Sequence, residues 1–220
     1  MEDLFTAIKN KDQTAVERIL AADPRAASAL DDNGVPALLS ALYHGNPDAA
    51  ATLRATGMEL TVFEAAAVGD LGRVRVLIDA DPALARAYTR DGFHPLGLAA
   101  FFGHTEVVRF LIAAGAEVSA PSRNRMHVTA LHSALAGPDR ESALALIAAG
   151  ADVNARQQDG FTALHEAAQN GDREMVETLL AAGADPSPVT GGGDRAADVA
   201  RTHGHPEIAR LLERAPAGSE

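Results

Sequence analysis

Residues 159–168 read DGFTALHEAA, and a closely similar stretch, DGFHPLGLAA, occupies residues 91–100. The two stretches lie 68 residues apart, which is twice 34. A third copy, VTALHSA at residues 128–134, precedes its counterpart at residues 161–167 by 33 positions. This spacing indicates an internal repeat of 33 to 34 residues.

Each copy continues into a second stretch that ends in glycine. Examples are EVVRFLIAAGA at residues 106–116 and EMVETLLAAGA at residues 174–184. Their apolar residues fall at i, i+1, i+4 and i+5, which predicts a helix with one apolar face. Gly115, Gly150 and Gly183 stand where a helix C-terminus favours a left-handed residue. The sequence therefore predicts a pair of helices in each repeat.

These repeats resemble the ankyrin repeat, whose signature is TPLHxA at a period of 33 residues. The stretches TALHEA at residues 162–167 and TALHSA at residues 129–134 match it, with Ala in place of Pro. Weaker copies extend in both directions, so the resemblance covers nearly the whole chain. It implies an all-α solenoid of about seven helix-turn-helix repeats with short hairpin-like finger loops. The predicted helix pairs are 4–23, 37–57, 62–81, 94–115, 129–150, 162–183 and 195–214.

We predict one ankyrin domain at residues 1–214, with caps at 1–30 and 192–214, and a frayed tail at 215–220. The first repeat has no preceding finger and should carry Lys9, Asn10, Lys11 and Glu17 outward. The last repeat has Arg195 and Asp198 where the signature has Thr and His. A polar outer side is what a terminal repeat needs.

Two connections depart from the regular spacing. Only residues 58–60 remain between repeats two and three, too few for a finger, and Thr61 and Glu64 are spaced as a capping box. The loop at residues 119–126 is two residues longer than its neighbour. We therefore predict a gap in the row of fingers near repeat two.

Composition excludes several functional classes. The chain has 19 Lys and Arg against 30 Asp and Glu, a net charge of -11, which disfavours nucleic acid and anionic membranes as partners. It has no Cys, which excludes disulfides, thiolate nucleophiles and Cys-based metal sites. The start, MEDLFTAIKNKD, has no secretory signal, and no apolar run is long enough to span a bilayer. We expect a cytoplasmic location and no cofactor.

Candidate chemistry is sparse. His165 and Glu166 begin an HExxH pattern, but Gln169 replaces the second His, so the zinc site lacks a ligand. The ankyrin resemblance implies instead that His132 and His165 brace neighbouring loops. The stretches GH at residues 103–104 and HGH at residues 203–205 fall at predicted turns. Their histidines fit turn residues better than metal ligands, and a metal site at His203 and His205 is the alternative. No glycine-rich phosphate loop and no nucleophile with base and oxyanion donors is recognisable, so we predict no enzyme activity.

The resemblance also implies a binding surface, because ankyrin stacks bind proteins on a concave side made from finger tips and first helices. The positions that vary among ankyrin repeats are occupied here by seventeen candidate partner-binding residues. Four further variable positions, on the first helices, carry small or apolar residues. The candidates are Tyr43, His44, Tyr88, Arg90, Asp91, Phe93, Phe101, Phe102, Arg123, Arg125, Met126, Arg156, Gln158, Asp159, Phe161, Gln169 and Asn170, and the other four are Ala67, Val68, Ala136 and Gly137.

Aromatic residues make up 4% of the chain, yet Tyr88, Phe93, Phe101 and Phe102 all map to repeat four and Tyr43 to the same groove. We predict that they anchor a partner. The alternative is that Phe101 or Phe102 packs onto a neighbouring repeat.

Four arginines, Arg90, Arg123, Arg125 and Arg156, fall on consecutive fingers. They predict a basic strip that orients an acidic segment of the partner. The alternative is a solvated surface with no role in binding.

The sequence thus predicts a non-catalytic protein-binding module and favours a monomer over a homo-oligomer. Its Ala-, Arg- and Asp-rich composition and short caps resemble those of bacterial stand-alone ankyrin proteins. The alternatives are a regulatory or inhibitory subunit that covers the active site of a partner enzyme, a small-ligand or metal sensor, and self-association through the aromatic patch. The fold does not fix the identity of the partner.

Overall fold

The computed structural model describes residues 3–216, which form fourteen α-helices in seven antiparallel pairs. Three short 3-10 turns, at Pro24–Ser28, Pro82–Arg86 and Gln158–Gly160, lie in the connections. The repeat register predicted from the sequence is confirmed. The helices are α1 (Leu4–Asn10), α2 (Gln13–Ala22), α3 (Ala37–Tyr43), α4 (Pro47–Ala55), α5 (Val62–Ala67), α6 (Leu71–Ala80), α7 (Pro95–Phe101), α8 (Thr105–Ala113), α9 (Ala130–Ala136), α10 (Arg140–Ala148), α11 (Ala163–Gln169), α12 (Arg173–Ala181), α13 (Ala196–Thr202) and α14 (Pro206–Arg214).

Local capping explains where many of these helices begin and end. Asp70 and Asp172 each accept a hydrogen bond from the backbone N–H three residues later, which satisfies a free donor at the start of α6 and α12. At the other end, Gly115, Gly150 and Gly183 have φ values of 85°, 84° and 91°. The predicted left-handed glycines are therefore confirmed, because glycine adopts this conformation without a steric penalty.

The core runs through the stack as one continuous layer. The leucine of the signature is fully buried in repeats two, four, five and six, as Leu38, Leu96, Leu131 and Leu164. Each repeat buries its apolar face against its neighbours, as expected for a solenoid. Partly buried side chains such as Leu180 on α12 pack against this core.

The fingers are tight loops, each closed by a backbone hydrogen bond. The bond joins residues i and i+4 at residues 31–35, 89–93, 157–161 and 190–194, and residues i and i+6 at 122–128. The two extra residues of this last finger are those predicted from the sequence. Within residues 3–216, β-structure is limited to isolated bridges at Leu30–Pro36 and Val189–Arg195.

The predicted gap in the row of fingers is confirmed. The chain runs from α4 to α5 without a β-bridge, and Thr61 and Glu64 form the predicted capping box. The fingers from repeat four onward are joined by backbone hydrogen bonds, from Arg123 to Gly92 (2.8 Å) and from Gln158 to Met126 (2.8 Å).

The two ends of the stack are polar, as predicted for caps. Lys9, Lys11 and Glu17 are exposed on the first repeat. On the last repeat, Asp198 pairs with Arg195 (3.4 Å) and with Arg201. Of the predicted tail, residues 217–220 lie outside the described residues, as do residues 1–2.

Candidate functional site

Four aromatic rings meet on the side of the stack that carries the first helices. The ring centroid of Tyr43 lies 6.2 Å from that of Phe93 and 6.3 Å from that of Phe102, and Phe101 meets Phe102 edge-on at 5.1 Å. Tyr43 comes from repeat two, whereas the other three rings come from repeat four. Repeat three lies between them in the chain and has no finger, and its small residue Ala67 belongs to the cluster against which Phe93 and Phe102 pack.

The four rings differ in their exposure. Phe102 and Phe93 are half-buried and pack against the small apolar cluster of Val35, Leu39, Ala67 and Leu98. By contrast, 41% of Phe101 and 37% of Tyr43 are exposed. The packing alternative is therefore confirmed for Phe102, whereas Phe101 presents its ring to solvent.

Tyr88 does not join this cluster. Its ring lies edge-on to His94 (5.6 Å) and beneath the guanidinium of Arg123 (3.9 Å), and its hydroxyl donates to the carbonyl of Pro121 (3.3 Å). The prediction of one aromatic patch containing Tyr88 is therefore wrong, because Tyr88 pairs with the next finger.

A cavity of about 440 Å³ opens beside the exposed rings, and we call it the groove cavity. It lies between the fingers of repeats four to six and helices α3, α7, α9 and α11, which is the predicted concave side. The cavity is mostly apolar but contains two carboxylates. Its lining residues are Tyr43, Asp91, Phe93, Gly97, Leu98, Phe101, Met126, Val128, His132, Ser133, Ala136, Gln157 and Glu166.

The acidic groups of the groove cavity are partly desolvated. Burial raises the pKa of Glu166, and Gln157 opposes this by donating from Nε2 to Oε2 (3.3 Å). Oδ1 of Asp91 is buried and has no hydrogen-bond partner within residues 3–216. Burial raises the pKa of the Tyr43 hydroxyl, and the charge of Asp91 and a hydrogen bond to the Asp91 side chain raise it further. The sequence did not single out Glu166 for binding, because it lies within the ordinary repeat signature.

The signature histidines are structural. In repeat six, Nδ1 of His165 lies 2.8 Å from the Thr162 hydroxyl, and its Nε2 lies 3.2 Å from the carbonyl oxygen of Asp194 in the next finger. The implied bracing role of His165 is thus confirmed. His132 pairs with Thr129 in the same way (2.9 Å), but its buried Nε2 has no hydrogen-bond partner within residues 3–216.

His94 is a third brace, which the sequence did not predict. It stands where the signature has Thr, and its Nδ1 accepts from the backbone N–H of Gly97 (3.0 Å) while Nε2 lies 3.1 Å from the carbonyl of Ala120. Burial lowers the pKa of His94, His132 and His165, to about 4 for His132. His94 stands at the start of a predicted helix, and this position could have indicated that its side chain caps the helix.

The turn histidines occupy the predicted positions between the two helices of a repeat. Nε2 of His104 lies 3.0 Å from the carbonyl of Ala67 in the preceding repeat, and Nδ1 of His203 lies 2.9 Å from that of Val199. In residues 3–216 no group of three or more His, Asp or Glu side chains is arranged to hold a metal ion.

A family model described as ankyrin repeats (3 copies) matches residues 62–157 and 138–217. The chain belongs to the ankyrin repeat family. Ankyrin repeats are generally protein–protein interaction modules and are typically non-catalytic. None of the curated proteins compared with the chain matches it. Among the described residues, no helix has the length and apolar character that crossing a membrane requires.

The four finger arginines of this ankyrin stack are all exposed, but two of them have partners on the protein. Arg123 stacks on Tyr88, and the side chain of Arg90 lies against Gly34, where a Cβ would be only 2.3 Å from its Cδ. Arg90 thereby reaches across the gap to the finger of repeat two. Arg125 and Arg156 extend into solvent.

Several other ankyrin variable positions are used within the stack. Asn170 donates from Nδ2 to the carbonyl of Leu135 (2.9 Å), and Nδ1 of His44 lies 2.8 Å from the carbonyl of Ser40. Gly137 packs so closely that a Cβ would lie 2.5 Å from the carbonyl oxygen of Phe101. Asn170 and Gly137 therefore contribute to stacking between repeats, whereas His44 contacts the last turn of its own helix.

The remaining candidates surround the groove cavity or lie along the fingers. Met126 is 47% exposed and lines the cavity, whereas Phe161 is half-buried against His165 (5.2 Å between ring centroids). Gln158, Asp159 and Gln169 complete the candidate set. Gln158 and Asp159 are exposed on the finger of repeat six, and Gln169 is half-buried on α11.

Proposed function

We propose that this ankyrin chain is a non-catalytic binding module that holds a protein partner in the groove around Phe101. The observation that carries the proposal is the exposure of this ring: 41% of Phe101 is free while the same side chain lines an apolar cavity of about 440 Å³. An exposed ring beside a concave apolar surface is typical of an interface anchor. Tyr43 and Met126 extend the same surface.

The partner segment would also meet the exposed cations of the fingers. Arg125 and Arg156 extend into solvent, so they are free to pair with acidic residues of a partner. Such exposed pairs mainly raise the association rate and fix orientation. An acidic flank on the bound segment is therefore part of the proposal.

Replacing Phe101 with Ser should abolish partner capture while the protein stays folded. Truncation of a central aromatic anchor costs about 2 kcal/mol or more, which is roughly a thirtyfold loss of affinity. The measurement is affinity capture from a lysate of the source organism, quantified by mass spectrometry. The matched control is Val76→Ser on α6, because Val76 is 60% exposed but lies outside the groove.

A true partner is retained by wild type and by Val76→Ser and lost by Phe101→Ser. Equal capture by all three proteins would contradict the proposed surface, and the absence of any captured protein would contradict the proposed function. If the retained partner is an enzyme, its activity with and without this chain tests the alternative of an inhibitory subunit. Light scattering of the purified chain tests whether it is a monomer.

A further inference from the structure

The groove cavity combines aromatic walls with two acidic side chains. Tyr43, Phe93 and Phe101 contribute rings, and Asp91 and Glu166 contribute carboxylates. Neither carboxylate forms an ion pair within residues 3–216. In this part of the chain, the lining contains no arginine and no lysine. The cavity therefore presents negative charge beside aromatic faces with no cation to balance it.

Neighbouring groups do not supply the missing positive charge. His132 lines the cavity, but burial lowers its pKa to about 4, so the ring is neutral at neutral pH. Of the finger arginines, Arg90 lies against Gly34 and Arg123 stacks on Tyr88. Arg125 and Arg156 extend into solvent, and within residues 3–216 neither forms an ion pair with Asp91 or Glu166. Glu166 receives the neutral amide of Gln157, and the Asp91 carboxylate meets the neutral hydroxyl of Tyr43. A cation from outside is the missing complement.

We propose that the groove cavity receives the guanidinium group of an arginine side chain from the bound segment, an inference that rests on the function proposed above. Aromatic faces attract cations through their ring quadrupole. A guanidinium is planar, stacks on rings and donates two parallel hydrogen bonds to a carboxylate. It is also less strongly hydrated than an ammonium group, so it enters a partly buried site at lower cost. These properties favour arginine over lysine.

The same segment would satisfy the charges on the rim. Arg125 and Arg156 are exposed and belong to the fingers that border the cavity. They would repel an unbroken run of basic residues and attract acidic ones. The occupant is therefore a single arginine flanked by acidic residues, not a polybasic stretch.

The test uses one small probe, Nα-acetyl-L-arginine N-methylamide, titrated into the full chain and followed by ¹H–¹⁵N NMR. We expect saturable shifts of the amide signals of Gly97, Ser133 and Ala136, which line the cavity. The corresponding citrulline compound has the same shape without the charge. It should bind at least about tenfold more weakly, because the cation–ring and ionic contacts are lost.

Variants of the carboxylates give an independent measurement. Asp91→Asn and Glu166→Gln should each weaken binding of the arginine probe by about fivefold or more, because each removes one charge-assisted contact. Asp32→Asn is the matched control: it removes the same charge from an exposed finger residue that does not line the cavity. The dispersion of the NMR signals shows whether each variant is folded.

Three results would overturn the inference: no saturable shift, equal binding of the arginine and citrulline probes, or equal binding of the corresponding lysine probe. If the arginine probe fails while partner capture still depends on Phe101, the arginine site is wrong and the proposed function stands. If capture also fails to depend on Phe101, both are wrong.

Discussion

Acidification from pH 7 to pH 4 should lower the free energy of unfolding by several kcal/mol, because three histidines are buried in neutral form. An unfolded histidine has a pKa of 6.5, whereas burial lowers that of His132 to about 4. Between these values the unfolded chain binds a proton that the folded chain does not, so stability falls as the pH falls. His132 alone accounts for about 3 kcal/mol over this window.

His94 and His165 act in the same direction, since burial lowers both of their pKa values. The raised pKa of Glu166 acts in the opposite direction, because the folded protein then binds the proton more tightly. Asp3 and Asp198 act with the histidines, because backbone N–H donors lower the pKa of both carboxyl groups. The balance is a net loss of stability in acid. The measurement is urea unfolding followed by circular dichroism at pH 7, 6, 5 and 4.

His132→Gln should reduce the loss of unfolding free energy between pH 7 and pH 4. Glutamine is chosen because its side chain can also complete the capping box with Thr129. The matched control is His44→Gln, which replaces an exposed histidine and should keep the dependence of the wild type. A His132→Gln protein whose stability falls as steeply as that of the wild type would contradict the assignment.

Leu131→Ala should destabilise the protein by about 2–5 kcal/mol, since it leaves a cavity in the centre of the stack. Leu131 is 1% exposed on α9 and belongs to the continuous core. Each repeat is stabilised mainly by its two neighbours, so the loss weakens both interfaces of repeat five. Urea unfolding at pH 7 gives the magnitude.

Leu30→Ala makes the same chemical change at a side chain that is 59% exposed. It should change the free energy of unfolding by less than about 0.5 kcal/mol, because little apolar surface is lost from the core. Equal destabilisation by the two variants would show that the core does not run through Leu131. Hydrogen exchange of the α9 amides would locate the weakening in repeat five.

The sequence predicted the fold in detail because its signals are local and repeated. The spacing of the repeated stretches, together with the ankyrin resemblance that it supports, predicted seven helix pairs, and the glycines at 115, 150 and 183 predicted where helices end. Counting residues between helices was sufficient to predict the missing finger and the longer one. Each of these features depends on a few neighbouring residues, and the other repeats provide independent copies of the same pattern.

The candidate site was predicted less completely. The register placed Tyr43, Phe93 and Phe101 on the concave side, and the structure brings these rings together. The register did not show that Phe102 packs against the small cluster around Leu39 or that Tyr88 turns toward Arg123. Those outcomes depend on how much space the side chains of the neighbouring repeat leave. The repeat pattern does not predict this space, because it treats equivalent positions in all repeats alike.

The sequence by itself determined that this chain is a stack of seven ankyrin repeats with polar caps, tight fingers and one gap. Only the tertiary structure decided that the gap lets Tyr43 reach the rings of repeat four. It also decided that Asp91 and Glu166 line one cavity. Hydrogen bonds within a turn act over a few residues, so they can be predicted from the chain. The groove cavity joins side chains from repeats two, four, five and six, whose distances are set by how the repeats stack.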